Sequence, residues 1–232
     1  MTSPNAGQPV IRAVQLGRAY GGDVHALRDA TVTVPRGDWV AITGASGSGK
    51  STLLNLLGLL DRPTSGRYEL DGEDVGTLPE SERTARRALK LGFVFQACHL
   101  VPHLTVEENV TLGLRYARVH LADWPERTAE ALRTVGLQHR AHAWPKTLSG
   151  GEQQRAAIAR AIATRPPVLL CDEPTGNLDT DNTTRVLDLL QQLNDADQTI
   201  VMITHEADVA ARARRRLKMR DGRLEPSGGE AA

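Results

Sequence analysis

Nine consecutive residues constrain this chain more than any others. Gly44-Ala45-Ser46-Gly47-Ser48-Gly49-Lys50-Ser51-Thr52 fits the pattern G-x-x-x-x-G-K-[ST]. The mostly apolar run Trp39-Val40-Ala41-Ile42-Thr43 leads into it at strand length, and the segment from Lys50 to Leu60 reads as a helix. A strand, a glycine-rich turn and a helix in that order curl backbone N–H groups inward and place a helix N-terminus behind them, which suits phosphate. Lys50 brings a compact charge to β- and γ-phosphates, and the Ser51 hydroxyl is placed to ligate Mg²⁺. The chain has four lysines, Lys50, Lys90, Lys146 and Lys218, against 24 arginines. Lysine in the loop of so arginine-rich a chain marks a place for a point charge rather than a planar fork. Nucleotide binding by Gly44 to Thr52 follows.

Around the loop, strands and helices alternate. Val168–Cys171 and Thr199–Thr204 are apolar runs of strand length, and Thr183–Leu193 places Val186, Leu190 and Leu193 on one helical face. Short buried strands between amphipathic helices predict a mainly parallel α/β sheet. The segments Thr105–Tyr116 and Asp123–Val135 both read as helices with no strand between them. A helical subdomain over residues 97–147 is therefore expected, inserted into a core of residues 10–96 and 148–224. The ends, 1–9 and 225–232, are rich in small and polar residues and read as disordered tails.

Composition narrows the class. With 40% hydrophobic and 24% charged residues the chain is globular rather than disordered. Basic and acidic residues balance at 28 each, which gives no reason to expect nucleic acid as a partner. Two cysteines, Cys98 and Cys171, are too few for a secreted disulfide framework. Cys98, His99 and His103 lack a fourth ligand at a metal-site spacing, and Cys171 reads as a buried hydrophobe. The longest apolar stretch, Leu53 to Leu60, is far short of the ~20 residues of a spanning helix. The N-terminus has neither a basic lead nor an apolar signal region, so a cytoplasmic location is expected.

Two further motifs complete the picture. The strand Val168 to Cys171 runs into Asp172-Glu173; Asp172 is placed to hold Mg²⁺ and Glu173 to polarise the water that attacks a γ-phosphate. Leu148-Ser149-Gly150-Gly151-Glu152-Gln153-Gln154 precedes a helix running to about Thr164, and is a second helix start suited to an anion.

These motifs, in this order, make the chain resemble the ATP-binding subunit of an ATP-binding cassette (ABC) transporter over nearly its whole length. The resemblance implies the P-loop NTPase core of ABC ATPases with an inserted helical subdomain. It implies a homodimer in which the phosphate loop of one copy and Ser149, Gly150, Gly151 and Glu152 of the other sandwich each ATP. By the same resemblance Tyr20 stacks on adenine, and Gln96, closing Phe93-Val94-Phe95-Gln96, senses the metal and the attacking water. Asp179 belongs to a loop at the dimer interface, and His205 contacts the γ-phosphate beside the catalytic Glu173. The stretches Gly58 to Gly66, Leu148 to Gln154 and Asp172 to Asp179 resemble the branch serving macrolide export, lipoprotein release and cell-division permeases. An integral membrane permease is then the expected partner, holding the chain at the inner face of the cell membrane. It is expected to dock near His99-Leu100-Val101-Pro102-His103-Leu104. The alternative, a soluble ABC ATPase acting on DNA or the ribosome, is disfavoured: no long coiled coil separates Lys50 from Asp172, and there is one cassette.

Overall fold

The structure, a computed structural model, describes residues 8–21 and 24–226. In chain order come β1 (Ile11–Tyr20), β2 (Val24–Val34), β3 (Trp39–Thr43), α1 (Lys50–Leu57), β4 (Ser65–Leu70) and β5 (Glu73–Asp74). Then follow α2 (Glu80–Lys90), β6 (Leu91–Phe95), α3 (Val106–Tyr116), α4 (Trp124–Thr134), α5 (Gly150–Ile162) and β7 (Val168–Asp172). The chain closes with α6 (Thr180–Asp195), β8 (Thr199–Ile203), α7 (Ala207–Ala210), β9 (Arg215–Arg220) and β10 (Arg223–Pro226).

The expected parallel sheet is present as β9-β3-β8-β7-β6, with β10 added antiparallel outside β9. Its inner strands β3, β8 and β7 are almost wholly apolar because both faces are covered, whereas the outer β9 is mostly charged. Trp39 and Ala41, Leu169 and Cys171, and Ile200 and Met202 point into a core shared with α3 to α6. Their strand neighbours Val40 and Ile42, Val168 and Leu170, and Val201 and Ile203 point into a second core beneath α1. The helical insert carries α3 and α4 as expected, with Thr105 and Glu108 closing a capping box at the start of α3.

The structure corrects three expectations. A second, antiparallel sheet of order β2-β1-β4-β5 covers the α1 side of the molecule and was not foreseen. Its signal is hidden by a bulge: Ile11 and Ala13 are buried, then Gln15 takes φ 51° and the register shifts before buried Leu16. Gly66 faces that bulge so closely that a Cβ would lie 2.3 Å from the Gln15 carbonyl oxygen. Helix α1 stops at Leu57 rather than Leu60, because Gly58 ends it against Phe93 and Leu59 turns left-handed at φ 55°. Finally, Glu225 and Pro226 pair with Lys218 and Leu217, so β10 continues past the expected boundary at 224. Apart from Gln8, Pro9, Glu225 and Pro226, the expected tails lie outside the described residues.

Candidate active site

The phosphate loop connects β3 to α1 and is held from behind by distant backbone. A Cβ on Gly44 would lie 2.3 Å from the Met219 carbonyl oxygen, and one on Gly49 would lie 2.5 Å from that of Ala26. Gly49 also takes φ 105° as the N-cap of α1, a conformation that only glycine adopts without strain. The Gly222 N–H donates to the Ser48 carbonyl at 2.9 Å, so the β9–β10 turn braces the loop. Lys50 is buried, and its Nζ donates to the carbonyls of Gly44 and Ala45, both at 2.8 Å.

Opposite the loop, β7 and β8 deliver the acids and the histidine. The Glu173 N–H donates to the Ile203 carbonyl at 2.9 Å, and Glu173 itself sits at φ 46°. A left-handed non-glycine residue costs roughly 1–2 kcal/mol, and here it turns the side chain toward β8. The Glu173 carboxylate meets His205 Nδ1 at 2.9 Å. At the end of β7, burial raises the pKa of Asp172, the adjacent Glu173 charge raises it further, and Lys50 opposes both. Phosphate loop, Glu173, Ile203, His205, Ala26 and Lys218 together line one cleft of about 840 Å³.

A nucleotide fits this cleft. The Ser48 hydroxyl is buried with no hydrogen-bond partner among the described residues, and no side chain caps the first turn of α1. Ser51 on the cleft wall and Asp172 at the end of β7 offer oxygen ligands. Two such oxygens are of the kind that Mg²⁺ takes before it completes its shell with phosphate and water.

The remaining sequence candidates lie elsewhere. Gln96 Nε2 donates to Asn177 Oδ1 at 3.1 Å, and Asn177 Nδ2 donates back to the Gln96 carbonyl at 3.2 Å. Gln96 is thus tied to the loop after Glu173 but does not line the cleft. Ser149 and Glu152 form a capping box on α5, and the carboxylate of Glu152 lies below its ordinary pKa through the Ser149 N–H. Gly151 is pressed against Asn182, which bonds the Asp179 carboxylate at the start of α6. None of Ser149, Gly150, Gly151, Glu152 or Asp179 lines the cleft of its own chain. Nor is Tyr20 brought into it: its hydroxyl donates to Asp61 at 2.8 Å and Arg18 covers its ring at 4.5 Å. Sequence reasoning passed over Ala26, Ile203 and Lys218 as cleft residues; only Lys218 carried a signal, its scarcity.

The pKa of the Cys171 thiol, fully buried on β7, is pushed upward by burial, and Cys171 serves as a core residue. No helix among the described residues is long and apolar enough to cross a membrane.

Comparison with known proteins agrees with this arrangement. The profile of the family described as ABC transporter matches residues 27–176. The lipoprotein-releasing system ATP-binding protein LolD of Bordetella pertussis is 44% identical over 230 residues, covering 97% of this chain and 100% of LolD. The macrolide export ATP-binding/permease protein MacB of Syntrophobacter fumaroxidans is 47% identical over 210 residues, 89% of this chain but 29% of MacB. The dimeric ATP-binding cassette MJ0796, in a post-hydrolysis state with ADP and Pi, superposes with TM-score 0.84 at 37% identity, covering 95% of this chain and all of MJ0796. With the phosphate loop, the Asp172-Glu173 strand end, His205 and the Ser149 helix start in place on a shared fold, the chain belongs to the ABC transporter family.

Proposed function

We propose that the chain is an ATPase subunit that pairs head to tail with a second copy around two ATP and drives a separate membrane permease. The observation that carries this reading is the 2.9 Å contact between His205 Nδ1 and Glu173 on the wall of the phosphate-loop cleft. Glu173 is there to polarise the attacking water, and His205 to hold that carboxylate and meet the γ-phosphate. Lys50 and the N–H groups of Gly44 to Thr52 bind the triphosphate. Ser51 and Asp172 would hold Mg²⁺, with Gln96 reaching it from the neighbouring loop; the ion supplies charge neutralisation of the phosphates when bound. Tyr20 lies outside the cleft with its ring under Arg18, so stacking on adenine would require it to exchange that contact for the base. Pairing is part of the proposal because Ser149 to Glu152, a helix start suited to an anion, do not line their own chain's cleft.

LolD, covered from end to end, is named as an ATP-binding protein alone, whereas MacB joins ATP-binding and permease functions in one longer chain. The likeness to LolD supports a separate permease as partner, and with it a position peripheral to the inner face of the cell membrane. Within the stretch His99 to Leu104, Leu100 packs against the core beneath α3 to α6, while Val101 faces an apolar groove that is the proposed docking place. That groove, of about 520 Å³, is lined by Leu60, Phe93, Phe95, Val101 and Tyr116. Leu60 and Tyr116 are exposed, as an apolar permease segment would require.

The test is Glu173→Gln, which keeps the shape of the side chain but polarises water poorly. The purified variant is expected to bind ATP, lose turnover by about a hundredfold or more, and accumulate as an ATP-bound dimer on gel filtration. Turnover like the unaltered protein's would remove Glu173 from this role.

A further inference from the structure

We infer that Lys218 is a second cation for the terminal phosphate of the bound nucleotide, and that it favours the triphosphate over the diphosphate. This rests on the ATP-binding role assigned to the cleft above. Lys218 lines that cleft together with Glu173, His205 and Lys50. Its position follows from the sheet. Strand β9 runs parallel to β3 with Lys218 in register with Thr43, the residue before the phosphate loop. The next residue of β9, Met219, is buried in the core beneath α1, so Lys218 projects from the opposite face of the strand. The carbonyl of Met219 also abuts Gly44, which brings the β9 backbone against the start of the loop.

The start of the loop is its γ-phosphate end. Lys50 Nζ, the group that serves the β- and γ-phosphates, lies against the carbonyls of Gly44 and Ala45. Lys218 therefore flanks the terminal phosphate from the β9 side, while the α1 end of the loop lies further along. Its charge is also uncommitted. Arg215 and Arg220 of the same strand have carboxylate partners, Asp38 and Asp221, whereas among the described residues no carboxylate comes within 4.0 Å of Lys218. Glu225 faces it across β10 in register and is the competing partner. Lys218 is exposed, so replacing it leaves the core untouched. Two of only four lysines in an arginine-rich chain thus converge on one cleft, where a flexible point charge suits a phosphate that comes and goes.

The experiment is calorimetric titration of the purified chain and of Lys218→Ala and Lys218→Glu. Each is titrated with a non-hydrolysable ATP analogue plus Mg²⁺, and separately with ADP plus Mg²⁺. A partly solvated charge on the cleft wall is expected to matter by about fivefold in triphosphate affinity on loss, and by about twentyfold on reversal. ADP affinity should change by less than about twofold. Unchanged triphosphate affinity in both variants, or equal weakening of triphosphate and diphosphate, would overturn the proposal and leave Lys218 as a surface partner of Glu225. Failure of the unaltered chain to bind either nucleotide would instead remove the ATP-binding role itself, and this inference with it.

Discussion

Asp71, in the turn between β4 and β5, receives Lys90 on one carboxylate oxygen and Arg36 on the other. Burial alone would raise its pKa, but Lys90 and Arg36 outweigh burial and leave it below the ordinary 3.8. The unfolded chain then binds a proton more readily than the folded one. The stabilisation is therefore fully present above the unfolded value and disappears as pH falls through the lower, folded value. Asp71→Asn is expected to lower stability at pH 7 by about 1 kcal/mol, since both cations remain partly solvated. Urea unfolding at pH 7 and again near pH 2 checks this: the difference between the two proteins should vanish in acid. A constant difference at both values would mean that packing, rather than charge, holds this turn.

At the scale of elements, the loop that leads from Gln96 into the helical insert hangs on one side chain. Asn109 of α3 is fully buried; its Oδ1 accepts from the Val101 N–H at 2.7 Å. Its Nδ2 donates to the carbonyls of Val101, Leu104 and Thr105 at 2.9 to 3.1 Å. Asn109→Leu would strand those buried backbone groups at a cost of about 2–3 kcal/mol, read as a drop in melting temperature of several degrees. A melting temperature unchanged within error would show that water replaces the amide. Helices such as α3 declare themselves in sequence because Val106, Val110 and Leu114 are buried at helical spacing behind a capping box. Helix α2 does not, because the one residue it buries is Arg83, whose guanidinium bonds Glu80 and the carbonyl of Asp61. A helix held by polar contacts leaves no apolar stripe to read.

Over the whole molecule, the Ser149 helix start does not line the cleft of its own chain, and the proposed hydrolytic site is one shared by two chains. Ser149→Arg places a bulky cation where the partner's nucleotide would meet α5. It is expected to leave ATP binding by the same chain intact while lowering hydrolysis by about a hundredfold or more, measured as nucleotide affinity against turnover on one preparation. Full turnover by this variant would contradict the shared site. The phosphate-loop wall of the cleft was legible beforehand because its parts are local. Nine adjacent residues make a phosphate loop, an apolar strand runs into Asp172-Glu173, and Ser149 with Glu152 caps the helix it precedes. Such segments carry their chemistry in their own spacing, and together they determined the α/β class, the nucleotide and the family. Tertiary structure decided what distant strands bring together. The pairing of β3 with β9 sets Lys218 beside Thr43, the close approach of Gly49 to the Ala26 carbonyl braces the loop from β2, and a bulge at Gln15 hides β1 from any period of two. Contacts of that kind join residues far apart in the chain, and no local pattern records them, because the free energy that selects them arises only when whole faces of the two sheets are buried at once.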